Sequence, residues 1–438
     1  MRIGFLFDHR SDQVWHAAPI AFELSQRYDD VEVVCLTANT SLTRMVDELA
    51  RLYPGHNCRV EQAHVPAIRR CAETLIGPWR SPEKEGVLRG NNRFYRSLDA
   101  LVAPDVTSRK IRGYHRLPSL SLILTRHGAG DRAGSFHQGV VDFDLVLAPG
   151  AKTQRDLEVH GLLRDTACRR VGYPKFSAVD RLPPPPRLFA NDRPVILYNP
   201  HFDPALSSWP VWGEAVLDRL AQRRHDYNVI FAPHIKLFGR RARYRAKLPE
   251  RHRRLPNIHV DLASRSLVDM TYTRLADIYL GDVSSQVYEF IRWPRPCVFL
   301  NPHGVAWQDN TYFRHWHLGD VVSSLDALGS ALDRAVRSPA RYRDRQRAAR
   351  DDTFSPGADS SDRGAATQDP RSHSRDTHER AFWPSGRLPD RQDTPLIAGV
   401  GHEPDEAEPT PRPDGSAARA ADAIYDWMTT KRARRARE

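Results

Sequence analysis

The chain has 438 residues, 40% of them hydrophobic, and a net charge of +11, which allows two domains with their own cores plus appendages. Its mean hydropathy of −0.57 points to a long polar segment beside the folded parts. Five scattered cysteines without CxxC spacing suggest neither a disulfide framework nor a zinc site, and no run approaches the length of a membrane-spanning helix.

Residues 1–7 form a short apolar run followed at once by Asp8-His9-Arg10. The run is too short for a signal peptide and reads as a first strand. An amphipathic helix over 14–28 and a strand over 31–36 continue the strand–helix–strand rhythm of a doubly wound α/β domain. Further helices are expected over 41–52 and 67–76, a turn over 104–107, a strand over 120–124 and a glycine-rich loop over 125–135. A strand over 143–148 and a helix over 152–160 follow.

Four consecutive prolines at 183–186 are stiff and extended and mark an interdomain linker. The rhythm then restarts, with strands over 194–198, 227–232, 258–260, 276–280 and 297–300. The expected helices lie over 210–223, 240–248, 266–272, 284–291 and 325–336. Residues 351–416 are rich in Asp, Arg, Ser, Pro, Gly and Thr and read as disordered. Helical spacing returns over 417–428, before a basic tip at 431–437. The expected division is a Rossmann-like domain over 1–182, a second over 190–345, the polar segment 351–416 and a terminal helix with a basic tail over 417–438.

The stretch 276–291 organises the second half. Ala276 to Leu280 reads as a buried parallel strand, Gly281-Asp282 as a turn, and Ser284 and Ser285 as the first turn of a helix stopped before Trp293-Pro294. A helix start offers unpaired N–H groups and the positive end of its dipole, which suits a phosphate. An ordinary capped helix would carry the same residues.

In doubly wound sheets, ligands bind beyond the carboxyl ends of the strands. Histidines follow four expected strands: His127, His201, His234 and His303. Together with Asp282, Ser284 and Ser285 they are the strongest functional signal in the sequence. Arg126 and Lys236 flank two of the histidines and can reach phosphates; each reads equally as a solvated surface charge.

The chain resembles the CDP-glycerol glycerophosphotransferases, the teichoic-acid polymerase family with a two-domain GT-B-type fold. The resemblance rests on His127-Gly128, Gly172-Tyr173-Pro174, Tyr198-Asn199-Pro200, His234 and Asp282-Val283-Ser284-Ser285. It implies two Rossmann-like domains facing a cleft and a CDP-linked donor held by the second domain. It also implies His127 as general base, with Arg126 and Gly128 beside it. His234, Ser284, Ser285 and the neighbouring His201, Asp282 and Lys236 would lie at the donor. An acceptor hydroxyl, lipid-linked in one version, would attack the donor phosphorus. No cofactor or metal is called for.

The sequence departs from the family pattern. After His127-Gly128 stand Ala129, Gly130, Asp131 and Arg132, where Ser or Thr and then Pro are usual, and Ile235 follows His234 in place of Pro. The expected setting is the cytoplasm, with contact of the basic tip to the inner face of the membrane as an added option. The alternative on the same architecture is a UDP- or GDP-sugar glycosyltransferase or epimerase-like enzyme, in which Glu289 is either a ribose ligand or an exposed helix residue. A nucleic-acid binder would use Arg240, Arg241, Arg243 and Arg245, but no recognised nucleic-acid motif accompanies them, so no nucleic-acid partner is expected.

Overall fold

A computed structural model describes residues 1–66, 82–126, 128–131, 137–238, 248–355 and 414–437. Two wholly parallel sheets carry the fold. The first holds β1 (Arg2–Phe7), β2 (Glu32–Thr37), β3 (Arg59–Gln62), β4 (Ala100–Ala103), β5 (Ser121–Thr125), β6 (Leu145–Ala148) and β7 (Ala167–Arg170), in the order β3-β2-β1-β4-β5-β6-β7. The second holds β8 (Val195–Asn199), β9 (Asn228–Phe231), β10 (Ile258–Val260), β11 (Ile278–Gly281), β12 (Cys297–Leu300) and β13 (Asp320–Val322), in the order β10-β9-β8-β11-β12-β13. Each lobe is therefore doubly wound, with its strand order reversing beside β1 and beside β8. The central strands β1, β4, β5, β8, β9, β11 and β12 are almost entirely buried, as apolar strands covered on both faces should be.

Expected and observed strands coincide within a few residues for β1, β2, β5, β6 and β8 to β12, whereas β3, β4, β7 and β13 were not expected: β4 is only four residues long and β7 carries two arginines. The differences have physical reasons. β3 is a polar edge strand and β13 is three residues long, so neither carries a clear apolar pattern. The expected helix over 266–272 is a 3-10 turn Arg265–Leu267 followed by the helix Thr271–Leu275. The helix after the Ser pair is shorter than expected, Gln286–Phe290.

Residues 351–354, expected within the polar segment, belong to the helix Arg343–Phe354. Its buried residues are the polar Gln346 and Thr353, which hid it from an apolar pattern. The expected helices over 67–76 and 240–248, the Arg240–Arg245 cluster and most of 351–416 lie outside the described residues, apart from Leu248, residues 351–355 and residues 414–416. Among the described residues, Cys35, Cys58, Cys168 and Cys297 are free thiols, and no helix is long and apolar enough to cross a membrane.

The C-terminal helix Ser416–Arg435 returns to the first lobe and packs on the helices Ser11–Arg27 and Pro174–Val179. Tyr425 stacks on Tyr28 at 3.7 Å between ring centroids, and Asp422 accepts from Tyr28 and Arg27. Lys431 reaches Asp144 and Ser121. The helix Arg343–Phe354 also closes on the first lobe, where Phe354 meets Tyr173 and Phe176, and Asp352 pairs with Arg155.

Candidate functional site

The carboxyl ends of both sheets open onto one cavity of 690 Å³. This is where a doubly wound sheet places its ligands, because the loops that leave the strand ends diverge at the reversal of strand order. From the first lobe come Arg10, Asp12 and His16 after β1, Pro104 and Asp105 after β4, and Arg126, Gly128 and Gly130 after β5. His137, Tyr173 and Lys175 complete that side. From the second lobe come Leu206, His234 and Ile235, then Val283, Ser284, Ser285, Gln286 and Glu289, with Tyr312 and Phe313 at one margin.

The Ser turn is held from below by Asp282. Its carboxylate is fully buried and accepts from His201 N at 2.8 Å, Ser208 N at 2.6 Å, Ser208 Oγ at 2.8 Å and Val283 N at 2.7 Å. Burial raises the Asp282 pKa and these hydrogen bonds oppose the rise. Asp282 thus ties the loop after β8 to the turn after β11 and does not line the cavity. His201 is buried as well, and its Nδ1 accepts from Asp203 N. Lys236 is exposed, with its ammonium 5.0 Å from the centroid of the Phe202 ring. His303 turns to the Ser207 carbonyl. None of these three is a cavity residue.

Ser284, Ser285 and His234 do reach the cavity. Ser284 Oγ accepts from Gln286 N at 3.2 Å, which leaves its O–H aimed elsewhere as a donor. His234 Nδ1 accepts from Lys236 N at 3.2 Å, so the neutral ring carries its proton on Nε2. The Phe202 ring lies 4.5 Å from that of His234 and fixes its plane.

The glycine loop of the first lobe lies directly across the Ser turn. A Cβ on Gly128 would stand 3.4 Å from Ser285 Oγ, and one on Gly130 3.1 Å from Ser285 Cβ. Gly128 also has φ of +80°, a left-handed conformation that favours glycine. His127 itself lies outside the described residues, but its neighbours Arg126 and Gly128 both line the cavity. Burial lowers the Arg126 pKa to about 10, and among the described residues no hydrogen bond or ion pair engages its guanidinium. A partly desolvated cation in that condition favours an anion.

Two further features go beyond the sequence reading, whose alternative of an exposed Glu289 does not hold. Glu289 is buried, accepting from Lys175 Nζ at 2.7 Å on each oxygen and from Tyr173 OH at 2.9 Å. A carboxylate inside the apolar run Val287-Tyr288-Glu289-Phe290 was the available signal. On the other wall, Arg10 pairs with Asp12, and Lys84 sits 3.0 Å from Asp105 and 3.5 Å from Asp8. Arg10 and Asp12 follow a strand end directly, so the criterion that selected the histidines would have selected them too. Among the described residues, no three His, Cys, Asp or Glu side chains converge as they would around a metal ion.

Solved structures share the two-lobed fold. A putative UDP-N-acetylglucosamine 2-epimerase from Listeria monocytogenes matches over 81% of this chain and 91% of its own, with TM-score 0.52 and 13% identity. The wall teichoic acid polymerase TagF matches over 81% of this chain and 84% of its own, with TM-score 0.53 and 11% identity. A UDP-GlcNAc 2-epimerase from Neisseria meningitidis, solved with UDP-GlcNAc bound, matches over 79% and 94%, with TM-score 0.52 and 13% identity. The fold is GT-B-like. No family model matches the sequence, and no curated protein matches it. At these identities the likeness concerns the GT-B architecture alone, and the cavity lies in the cleft between its two lobes.

Proposed function

We propose that this protein is a transferase that moves a glycerophosphate-type unit from a CDP-linked donor to a hydroxyl acceptor. The observation that carries the reading is the pairing across one cavity of Arg126 with Ser284, Ser285 and His234. In this reading the donor diphosphate lies against the second lobe. Ser284 and Ser285 donate through their hydroxyls, and His234 donates through Nε2. Arg126 balances charge on the transferring phosphoryl group from the opposite wall. His127 removes the acceptor proton as the new O–P bond forms and the bond to the nucleoside monophosphate breaks. The imidazole then returns its proton to solvent, and CMP leaves.

The first-lobe wall receives the acceptor. Its carboxylates and cations, Asp12 with Arg10 and Asp105 with Lys84, form a mixed surface that suits a hydroxyl-bearing group. A lipid-linked acceptor and peripheral contact with the inner face of the membrane belong to the same proposal, in a cytoplasmic setting.

A second reading is favoured by the structural neighbours, which include UDP-GlcNAc 2-epimerases as well as TagF. On it, the same cavity takes a UDP- or GDP-sugar. Titration calorimetry with CDP, UDP and GDP, followed by assay of CMP release from CDP-glycerol, separates the two. The proposed activity requires preference for CDP, CMP release, and loss of about a hundredfold or more in rate in His127→Ala. Preference for UDP or GDP, or full turnover by His127→Ala, would overturn it.

A further inference from the structure

We propose that Asp131 is a positioning residue: it latches residues 128–131 of the first lobe onto the Ser284-Ser285 turn of the second. The kinetic arm of this inference rests on the reading of the cavity given above, whereas its structural arm does not. The Asp131 side chain has no solvent exposure, and it is engaged from both lobes. Its Oδ1 accepts from Lys152 Nζ at 3.0 Å, on the helix Ala151–Val159 of its own lobe. Its Oδ2 accepts from Tyr288 OH at 2.6 Å and lies 3.2 Å from His315 Nδ1, both on the second lobe. Arg314, also on the second lobe, stands 3.7 Å from Oδ1 and donates to Asp156 beside Lys152.

The same groups grip the loop backbone and the turn. Lys152 Nζ donates to the Ala129 carbonyl at 2.7 Å and sits 3.6 Å from the centroid of the Tyr288 ring. The other ring nitrogen of His315 lies 3.3 Å from the Asp282 carbonyl, at the base of the Ser turn. One carboxylate therefore joins the segment that follows His127 to the helix Gln286–Phe290, which follows Ser284 and Ser285, and to the 3-10 helix Thr311–Leu318, which braces their turn through Asp282.

A buried carboxylate needs compensation, or its desolvation costs several kcal/mol. Lys152 alone could supply that within the first lobe. Three further partners from the opposite lobe do something else: they fix the separation between the loop and the turn. Gly130 has no Cβ at the point where one would stand 3.1 Å from Ser285 Cβ, which is what so close an approach requires. In a cleft enzyme, misplacement of one wall by an ångström costs rate while leaving ground-state donor binding largely intact.

The test uses the full chain with Tyr288→Phe, which keeps the ring over Lys152 and removes one arm of the latch, and with Asp131→Asn. Amide hydrogen exchange is followed at residues 128–131 and in the strands of both sheets. CMP release from CDP-glycerol is measured in parallel. Both variants are expected to speed exchange at 128–131 by about tenfold or more, with the strands unchanged. The kcat is expected to fall by about tenfold or more while the donor KM stays within about twofold. Unchanged exchange at 128–131, or an increase spread evenly over both lobes, would overturn the latch. A wild-type chain that releases no CMP overturns the proposed donor, and the exchange result still decides the latch.

Discussion

Gly172 has φ of +86°, and a Cβ built on it would lie 2.2 Å from Ser416 Oγ and 2.9 Å from Arg419 Nη2. Tyr173 N, the next amide, donates to Ser416 Oγ at 2.9 Å. Backbone conformation and space thus both require glycine where the C-terminal helix begins. Gly172→Ala is expected to destabilise the protein by roughly 2–4 kcal/mol through strain and overpacking. Urea unfolding measures this, and an unchanged midpoint would show that the helix start simply shifts away. The Gly172-Tyr173-Pro174 motif was legible in the sequence, but its reason was not, because Ser416 is more than two hundred residues distant. The strand-end histidines divide on similar grounds. His234 and His201 each accept from the backbone N–H two residues on, yet only His234 lines the cavity, and His303 turns to the Ser207 carbonyl. Which way a loop side chain turns depends on partners that a strand pattern does not reveal.

At the scale of elements, the longer buried strands were readable because burial on both faces makes them continuously apolar, while β4, only Ala100–Ala103, was too short to stand out. The closing helices were harder. The spacing Ala420, Ile424 and Trp427 predicts a helix near the C-terminus, and the observed helix Ser416–Arg435 buries Ala417, Ala420, Ala421, Ile424 and Met428, with Trp427 only half-buried. Amphipathic spacing does not say which surface a helix covers. Here it covers the first lobe, so a chain ending at residue 413 would expose that lobe's helix Ser11–Arg27. We expect the truncation to cost roughly 5 kcal/mol or more, which at this size lowers Tm by about 10 °C or more. Calorimetry of the truncated chain checks it; an unaltered Tm would mean that the helix is an ornament of the lobe. The short helix Gln286–Phe290 carries its own lesson. Its Ser pair was legible as a helix start, yet the helix is so brief that the hydroxyls and neighbouring side chains, more than a dipole, must do any anion binding.

Across the whole molecule, buried carboxylates tie distant segments together. Burial alone would raise the pKa values of Asp105 and Asp131, but Lys84 with the Thr107 hydrogen bonds on the first, and Lys152 with His315 and Arg314 on the second, together outweigh it and hold both below the usual range. Each therefore contributes stability that is present above the unfolded value near 3.8 and is lost as pH falls through the lower folded value. Asp282 acts in the opposite sense. Its folded pKa is raised, so ionisation costs stability, and that cost disappears as pH falls through the raised value. With two strongly depressed carboxyls against one raised carboxyl, Tm should hold from neutrality down to about pH 4 and drop steeply below it. Asp131→Asn should flatten that drop, and thermal melts across pH would measure both effects; an equal drop in the variant would remove Asp131 from the account.

The return of the chain to its first lobe has a consequence for synthesis. The second sheet ends at Val322, and the helix Asp326–Arg337 that covers it leaves the ribosome well before Ser416–Arg435. The lobe begun first is thus finished last: its groove along Ser11–Arg27 stays open until Ser416–Arg435 has emerged. A nascent-chain chaperone would meet its apolar client at the amino-terminal half, and a stalled ribosome would hold a molecule with one lobe closed and the other uncapped.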